Sequence, residues 1–201
     1  MALQIMHNLE HLVLYSISPA DDHPLASSDL PRLLPLQHLR RFEIMSYNDR
    51  PLLALVTRSA IRTLRFIRMR MTHTLVLDVL REYPDNHIFH LILNDSRKMR
   101  FDPVKDNILT LFPRLNHLQI TGFIAEDIPA VLACAVAPLK SLGVDRWAGP
   151  SLPEFLNQIG TSQYPSIARL KKIAIGQQED AIELAAVCKR RWILLRDYED
   201  S

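Results

Sequence analysis

The chain has 201 residues, 48% of them apolar and 23% charged, which is enough apolar content for a buried core and too balanced a composition for a disordered chain. Its 24 basic and 22 acidic residues leave a net charge of +2, which supplies no general field for a nucleic acid or a membrane surface. No run approaches the about 18 apolar residues of a membrane-crossing helix, and Cys134 and Cys188 stand far apart and outside any motif, as in a reducing compartment. The opening stretch "MALQIMHNLEHLVL" lacks the basic start and unbroken apolar run of a signal peptide. These features predict a cytoplasmic or nuclear chain forming one domain over residues 1–201.

From Leu9 onward one six-residue pattern returns, apolar at its first, fourth and sixth positions. "LEHLVL" starts at Leu9 and is followed by "SISPADDHPLASSDLP" (16–31), the longest irregular stretch and a candidate flap. "LRRFEI" starts at Leu39 and "IRTLRF" at Ile61, with a helical pattern, "HTLVLDVLREYP" (73–84), stopped by Pro84. After "IFHLIL" from Ile88, "DPVKDNILTLF" (102–112) offers Asp102 as an N-cap and Pro103 in the first turn. "LNHLQI" from Leu115 precedes "DIPAVLACAVAP" (127–138), a helix pattern stopped by Pro138. "LKSLGV" from Leu139 precedes "SLPEFLNQIG" (151–160), where Ser151 and Glu154 form a capping-box pattern and Gly160 ends the segment. "LKKIAI" from Leu170 leads to a helix over 179–191, and a last strand is expected within "RRWILLRD" (190–197).

Successive starts lie 30, 22, 27, 27, 24 and 31 residues apart. Thirteen of the fourteen second and third positions are polar, Phe89 being the exception, so the pattern is more than chance in a chain nearly half apolar. Each copy is too short for a helix, and its fourth and sixth positions alternate with the fifth as in a strand with one buried face. Strand, helix and strand again implies parallel strands joined by right-handed crossovers. Polar residues persist within the central strands, so one sheet face is expected to be wet and helices to cover the other side only. The expected fold is an α/β solenoid with one parallel sheet of about eight strands on its concave face and helices on its convex face. At about 4.8 Å per strand the sheet would be roughly 34 Å long.

L-x-x-L-x-L at this spacing resembles the leucine-rich repeat over roughly residues 8–197, and the irregular periods and Pro-punctuated helices are most similar to the degenerate repeats that follow an F-box in many fungal proteins. The Asn or Cys usual after the strand is missing. The ninth positions are Ile17, Tyr47, Met69, Ser96, Phe123, Trp147 and Gln178, mostly large and apolar, as if packed beneath the turn. The resemblance implies substrate recognition for a cullin-type ubiquitin ligase. The F-box that docks the cullin-complex adaptor is not in this sequence, so adaptor binding is analogy only. The first strand begins only about eight residues into the sequence, so its outer edge is expected to meet a partner or further chain.

Four motifs compete with a binding role. "HNLEH" (7–11) matches H-x-x-E-H, a zinc-protease pattern, but on a strand His7 and His11 stand about 13 Å apart and share no ion. His11, His90 and His117 share the third position, and only the last two fall on neighbouring strands, where they form a candidate pair titrating near neutral pH. "RTLRFIRMRM" (62–71) carries Arg62, Arg65, Arg68 and Arg70 around Phe66, a nucleic-acid pattern that the repeat phase divides between core and strand margins. The basic "CKRRW" (188–192) fits a helix C-terminus. Trp147 and Trp192 read as packing residues. Five glycines cannot build a phosphate loop, and no nucleophile elbow is present. No catalytic residue, metal or cofactor is assigned. The sequence predicts a non-catalytic module that binds a protein partner through the third, fifth and seventh positions. These are Tyr15, Arg41, Glu43, Arg65, His90, Asn94, His117, Gln119, Asp145 and Lys172. A nucleic-acid binder using residues 62–70 is the alternative, and a membrane partner is not expected.

Overall fold

Every six-residue copy becomes a strand, and the eight strands lie side by side in chain order with each neighbouring pair parallel. A computed structural model describes residues 8–14, 38–44, 61–67, 81, 86–94, 108–121, 128–147, 152–157, 164–177 and 181–198. The strands are β1 (His11–Leu14), β2 (Arg41–Ile44), β3 (Thr63–Ile67), β4 (His90–Asn94), β5 (His117–Thr121), β6 (Ser141–Arg146), β7 (Lys172–Gln177) and β8 (Leu194–Asp197). The pairing sets like positions beside like: His90 faces His117, which faces Ser141, which faces Lys172.

A repeated backbone contact holds this register. The second-position carbonyl of each of the first six copies accepts two N–H groups, from the second and third positions of the next copy. The Glu10 carbonyl takes Arg40 and Arg41 at 2.8 and 3.0 Å, and the Lys140 carbonyl takes Lys171 and Lys172 at 2.9 and 3.1 Å. The contact recurs at the carbonyls of Arg40, Arg62, Phe89 and Asn116. It pairs the N–H groups by which the chain enters each strand from β2 to β7.

The first, fourth and sixth positions build the core. Leu115, Leu118 and Ile120 are buried, as are Leu139, Leu142 and Val144. Among the described residues, α1 (Ile128–Ala133), α2 (Leu152–Asn157) and α3 (Ala181–Arg190) pack on the same side. Each buries one stripe at i, i+3 and i+4, namely Ile128, Val131 and Leu132, then Leu152, Phe155 and Leu156, then Leu184, Val187 and Cys188, all in the cluster with the strand anchors. Buried polar side chains tie the connections together. Asn86 Nδ2 donates to the Leu111 carbonyl at 2.8 Å, and Ser166 Oγ donates to the Leu132 carbonyl at 3.0 Å.

The 127–138 helix pattern ends early among the described residues. Within 102–112 the described residues form only a 3-10 turn, Ile108–Leu111. α1 ends at Ala133 because the amides of Cys134 and Ala135 bond three residues back, to Val131 and Leu132, tightening the last turn well before Pro138. Of 73–84 only Arg81 is described, and it is helical; the loop 16–31 lies outside the described residues. Trp147, a ninth-position residue, does pack, with its ring 5.0 Å from that of Phe155.

β8 occupies only Leu194–Asp197, half of the stretch expected to hold it. The cause is the end of α3. Trp192 N–H bonds the Lys189 carbonyl at 3.3 Å and Ile193 N–H bonds the Cys188 carbonyl at 2.9 Å, the two bonds of a Schellman cap. The residue in the left-handed position is Trp192, with φ 58°. The cap turns its side chain outward, so Trp192 is 91% exposed and is not the packing residue its type suggested.

Two substitutions test these contacts. A Cβ at Gly176 meets the carbonyl oxygen of Asp145 well inside contact distance, so Gly176→Ala is expected to destabilise the chain by about 1–3 kcal/mol in chemical denaturation. Trp192→Gly relieves the positive φ at no cost in burial and is expected to stabilise by about 1 kcal/mol.

Candidate functional site

The third and fifth positions leave the sheet on the side opposite the helices, and they divide this face into two regions of different chemistry. Over β1–β3 the centre is Glu43, a fifth-position carboxylate only 6% exposed. Arg41 Nη2 lies 2.8 Å and His11 Nε2 2.9 Å from its Oε1, and Arg65 Nη1 lies 3.7 Å from Oε2. A carboxylate removed from water needs such partners, and losing one leaves an uncompensated buried charge. The Nε atoms of Arg41 and Arg65 have no hydrogen-bond partner among the described residues, so Coulomb attraction, not complete hydrogen bonding, holds this cluster.

The boundary between the regions is a histidine pair. His90 and His117 sit side by side in the third-position row, their rings 5.8 Å apart and inclined at 66°. Burial, then the neighbouring His117, then Arg41 push the His90 imidazole down to about 4. Burial, Lys140 and Lys172 push His117 below its usual value as well. A pair titrating near neutral pH is therefore not what the packing produces. At pH 7 both rings are neutral, each one donor and one acceptor.

Beyond the histidines the face drops into a depression of about 700 Å³. Its floor is made by small fifth-position residues, Gly143 on β6 and Ala174 on β7, with Ser141 and Lys172 at the third-position end. Gln119 forms one wall and Arg196 the other. Tyr198 closes the far end. Its hydroxyl accepts from Gln119 Nε2 at 2.6 Å and shares a proton with Thr121 Oγ1 at 2.5 Å. β8 and β5 are three strands apart, roughly 14 Å on a flat sheet, too far for a tyrosine and a threonine to touch. The sheet must curl toward this face between β5 and β8.

The ten residues expected on the face are distributed unevenly. Arg41, Glu43 and Arg65 come together, but Glu43 lies beneath its basic partners and offers no surface to a ligand. His90, His117, Gln119 and Lys172 converge on the depression. Asp145 stands at the seventh position of β6. Asn94 pairs with Thr121 in the β4–β5 register, and Tyr15 lies outside the described residues. The sequence reading missed Ser141, Gly143, Ala174, Arg196 and Tyr198. The first three are small residues at third and fifth positions, where only large polar residues had been sought. Arg196 and Tyr198 follow once the register is known, since Leu194 pairs with Lys172 and makes them the fifth and seventh positions of the last copy.

Other candidate sites fare differently. His11 is the first residue of β1, so the helical spacing that H-x-x-E-H needs is not present there, and His7 lies outside the described residues. Among the described residues, no three His, Cys, Asp or Glu side chains are grouped as a metal ion requires. Arg62 is exposed, Arg65 is engaged with Glu43, and Arg68 and Arg70 lie outside the described residues. Cys134 and Cys188 are both free thiols, and burial pushes the Cys188 thiol up. No helix among the described residues is long and apolar enough to cross a membrane. The chain matches no protein-family model, no curated protein and no solved structure.

The histidine pair makes a prediction with a definite sign. As pH falls through 6.5 the unfolded chain takes up a proton that folded His90 refuses until about 4. His90 therefore contributes full stability above 6.5 and loses it progressively toward 4. Imidazole resonances followed by NMR should show His90 titrating near pH 4, and His117→Gln should move that midpoint upward by removing a neighbouring charge.

Proposed function

We propose that the chain is a leucine-rich-repeat-type solenoid serving as a non-catalytic protein-recognition module, with its partner seated on the face opposite the helices. One observation carries this reading. Eight strands in unbroken chain order present their third and fifth positions on a single face, and over β5–β8 that face is a depression built of side chains the core does not use. Charged and hydrogen-bonding groups around a small-residue floor are a binding arrangement.

The curl between β5 and β8 supports a concave sheet, and the regular second-position acceptor supports a repeat built from one backbone unit. The resemblance to repeats that follow an F-box extends the proposal to substrate recognition for a ubiquitin ligase. In that role the face would hold the substrate, and an F-box supplied elsewhere would hold the adaptor. The alternative, nucleic-acid binding through 62–70, is less well supported because Arg65 is drawn onto Glu43 with its side chain only 19% exposed.

The test is affinity capture from a lysate with the native chain and two variants. Ala174→Arg fills the depression, whereas Glu183→Arg changes an exposed site on α3, on the helix side. A partner held by the native chain and by Glu183→Arg, and lost with Ala174→Arg while circular dichroism is unchanged, is the expected result. Equal capture by all three chains removes the sheet face from the reading.

A further inference from the structure

We propose that the depression over β6 and β7 takes an extended acidic segment of a partner protein, its backbone lying over Ala174 and its carboxylates meeting Lys172 and Arg196. This rests on the recognition reading above and names the chemistry of the occupant.

Shape comes first. Two adjacent strands carry nothing larger than a methyl group at the fifth position. Gly143 is buried, with Gln119 Cγ 3.3 Å and the Tyr198 ring 3.4 Å from where its Cβ would stand. Ala174 is only half-buried, so the open part of the floor runs over β7, between Gln119 and Tyr198 on one side and Arg196 on the other.

Charge decides the occupant. Lys172 and Arg196 are exposed and have no ion-pair partner among the described residues, and Lys140 is exposed close enough to act on His117. One carboxylate, Asp197, lines the depression at the sixth position, and Asp145 stands at the seventh position of its copy, both toward the end Tyr198 closes. The open, third-position end is therefore cationic. Glu43, the acidic member of the face toward β1, is already consumed by Arg41, His11 and Arg65. His90 and His117 are neutral at physiological pH and contribute hydrogen bonds without charge. A nucleic acid fits less well. The one phenol ring in the depression is held by Gln119 and Thr121 and offers no free stacking platform, and the cations do not run on as a backbone track.

Immobilised full-length chain would be offered three labelled probes at physiological salt. These are a dodecapeptide pool with Asp or Glu at alternate positions, the same pool with Asn and Gln instead, and a single-stranded thymidine oligonucleotide. The acidic pool should be retained about tenfold better than the amide pool, with a preference that shrinks as salt rises. Lys172→Glu/Arg196→Glu, which alters only exposed side chains, should abolish that preference without changing the thermal midpoint. Ala174→Val should weaken retention by raising the floor, with its folding checked by circular dichroism.

Equal retention of the acidic and amide pools overturns the proposal, as does acidic retention that survives the charge reversal or preferential retention of the oligonucleotide. The Ala174→Arg capture experiment separates the two levels. A lysate partner still lost with Ala174→Arg leaves the recognition face standing while the acidic assignment falls. Loss of selectivity together with equal capture by all variants removes both.

Discussion

One backbone contact governs this molecule: a single carbonyl at the second position of each copy accepting two successive N–H groups from the next. Parallel strands pair slightly less strongly per residue than antiparallel ones, and a slip of one residue would exchange the buried and exposed faces along a whole strand. The shared acceptor opposes that slip at the start of every strand from β2 to β7. Once the entry is locked, the fourth-position residue falls on the core side and the third and fifth on the other. The hydrophobic stripe of each helix then has one surface to cover. Core and open face are thus consequences of the same register, and neither can shift alone.

The last copy shows what happens when a second demand is placed on that entry. The Ile193 amide, which the pattern would send to the Lys171 carbonyl, closes the Schellman cap of α3, and the Leu194 amide alone reaches Lys171. The copy loses its buried first-position anchor, because that place is held by Trp192 in a left-handed conformation and turned outward. What remains is a short strand whose residues are largely exposed. Those residues, Leu194, Arg196 and Tyr198, complete the wall of the depression. The departure from the repeat and the most chemically distinctive part of the face are one feature.

Much of this architecture is legible in the chain because it depends on spacing alone. The starts at Leu9, Leu39, Ile61, Ile88, Leu115, Leu139 and Leu170 all mark strands, and their order in the sheet is the order in the sequence. Helix lengths were less legible, since α1 stops by tightening into i→i−3 bonds that no residue announces. The face was half legible. Its polar residues could be named from position, but charge counting treated Glu43 as an available contact when its three basic neighbours bury it. The depression was invisible for a different reason: it is made by what Gly143 and Ala174 lack, and a search for functional side chains passes over the smallest ones.

The contrast between the two ends of the face follows from fifth-position size. Over β2 and β3 the fifth positions are Glu43 and Arg65, long side chains that fold onto one another and satisfy their charges within the sheet. Over β6 and β7 they are Gly143 and Ala174, which carry no charge, and Lys172 at the third position and Arg196 on the next strand form no ion pair among the described residues, Asp197 notwithstanding. A charge that the fold does not satisfy is satisfied by water or by a ligand. The charge selectivity proposed for this face would arise from the small residues of its floor as much as from the cations at its rim.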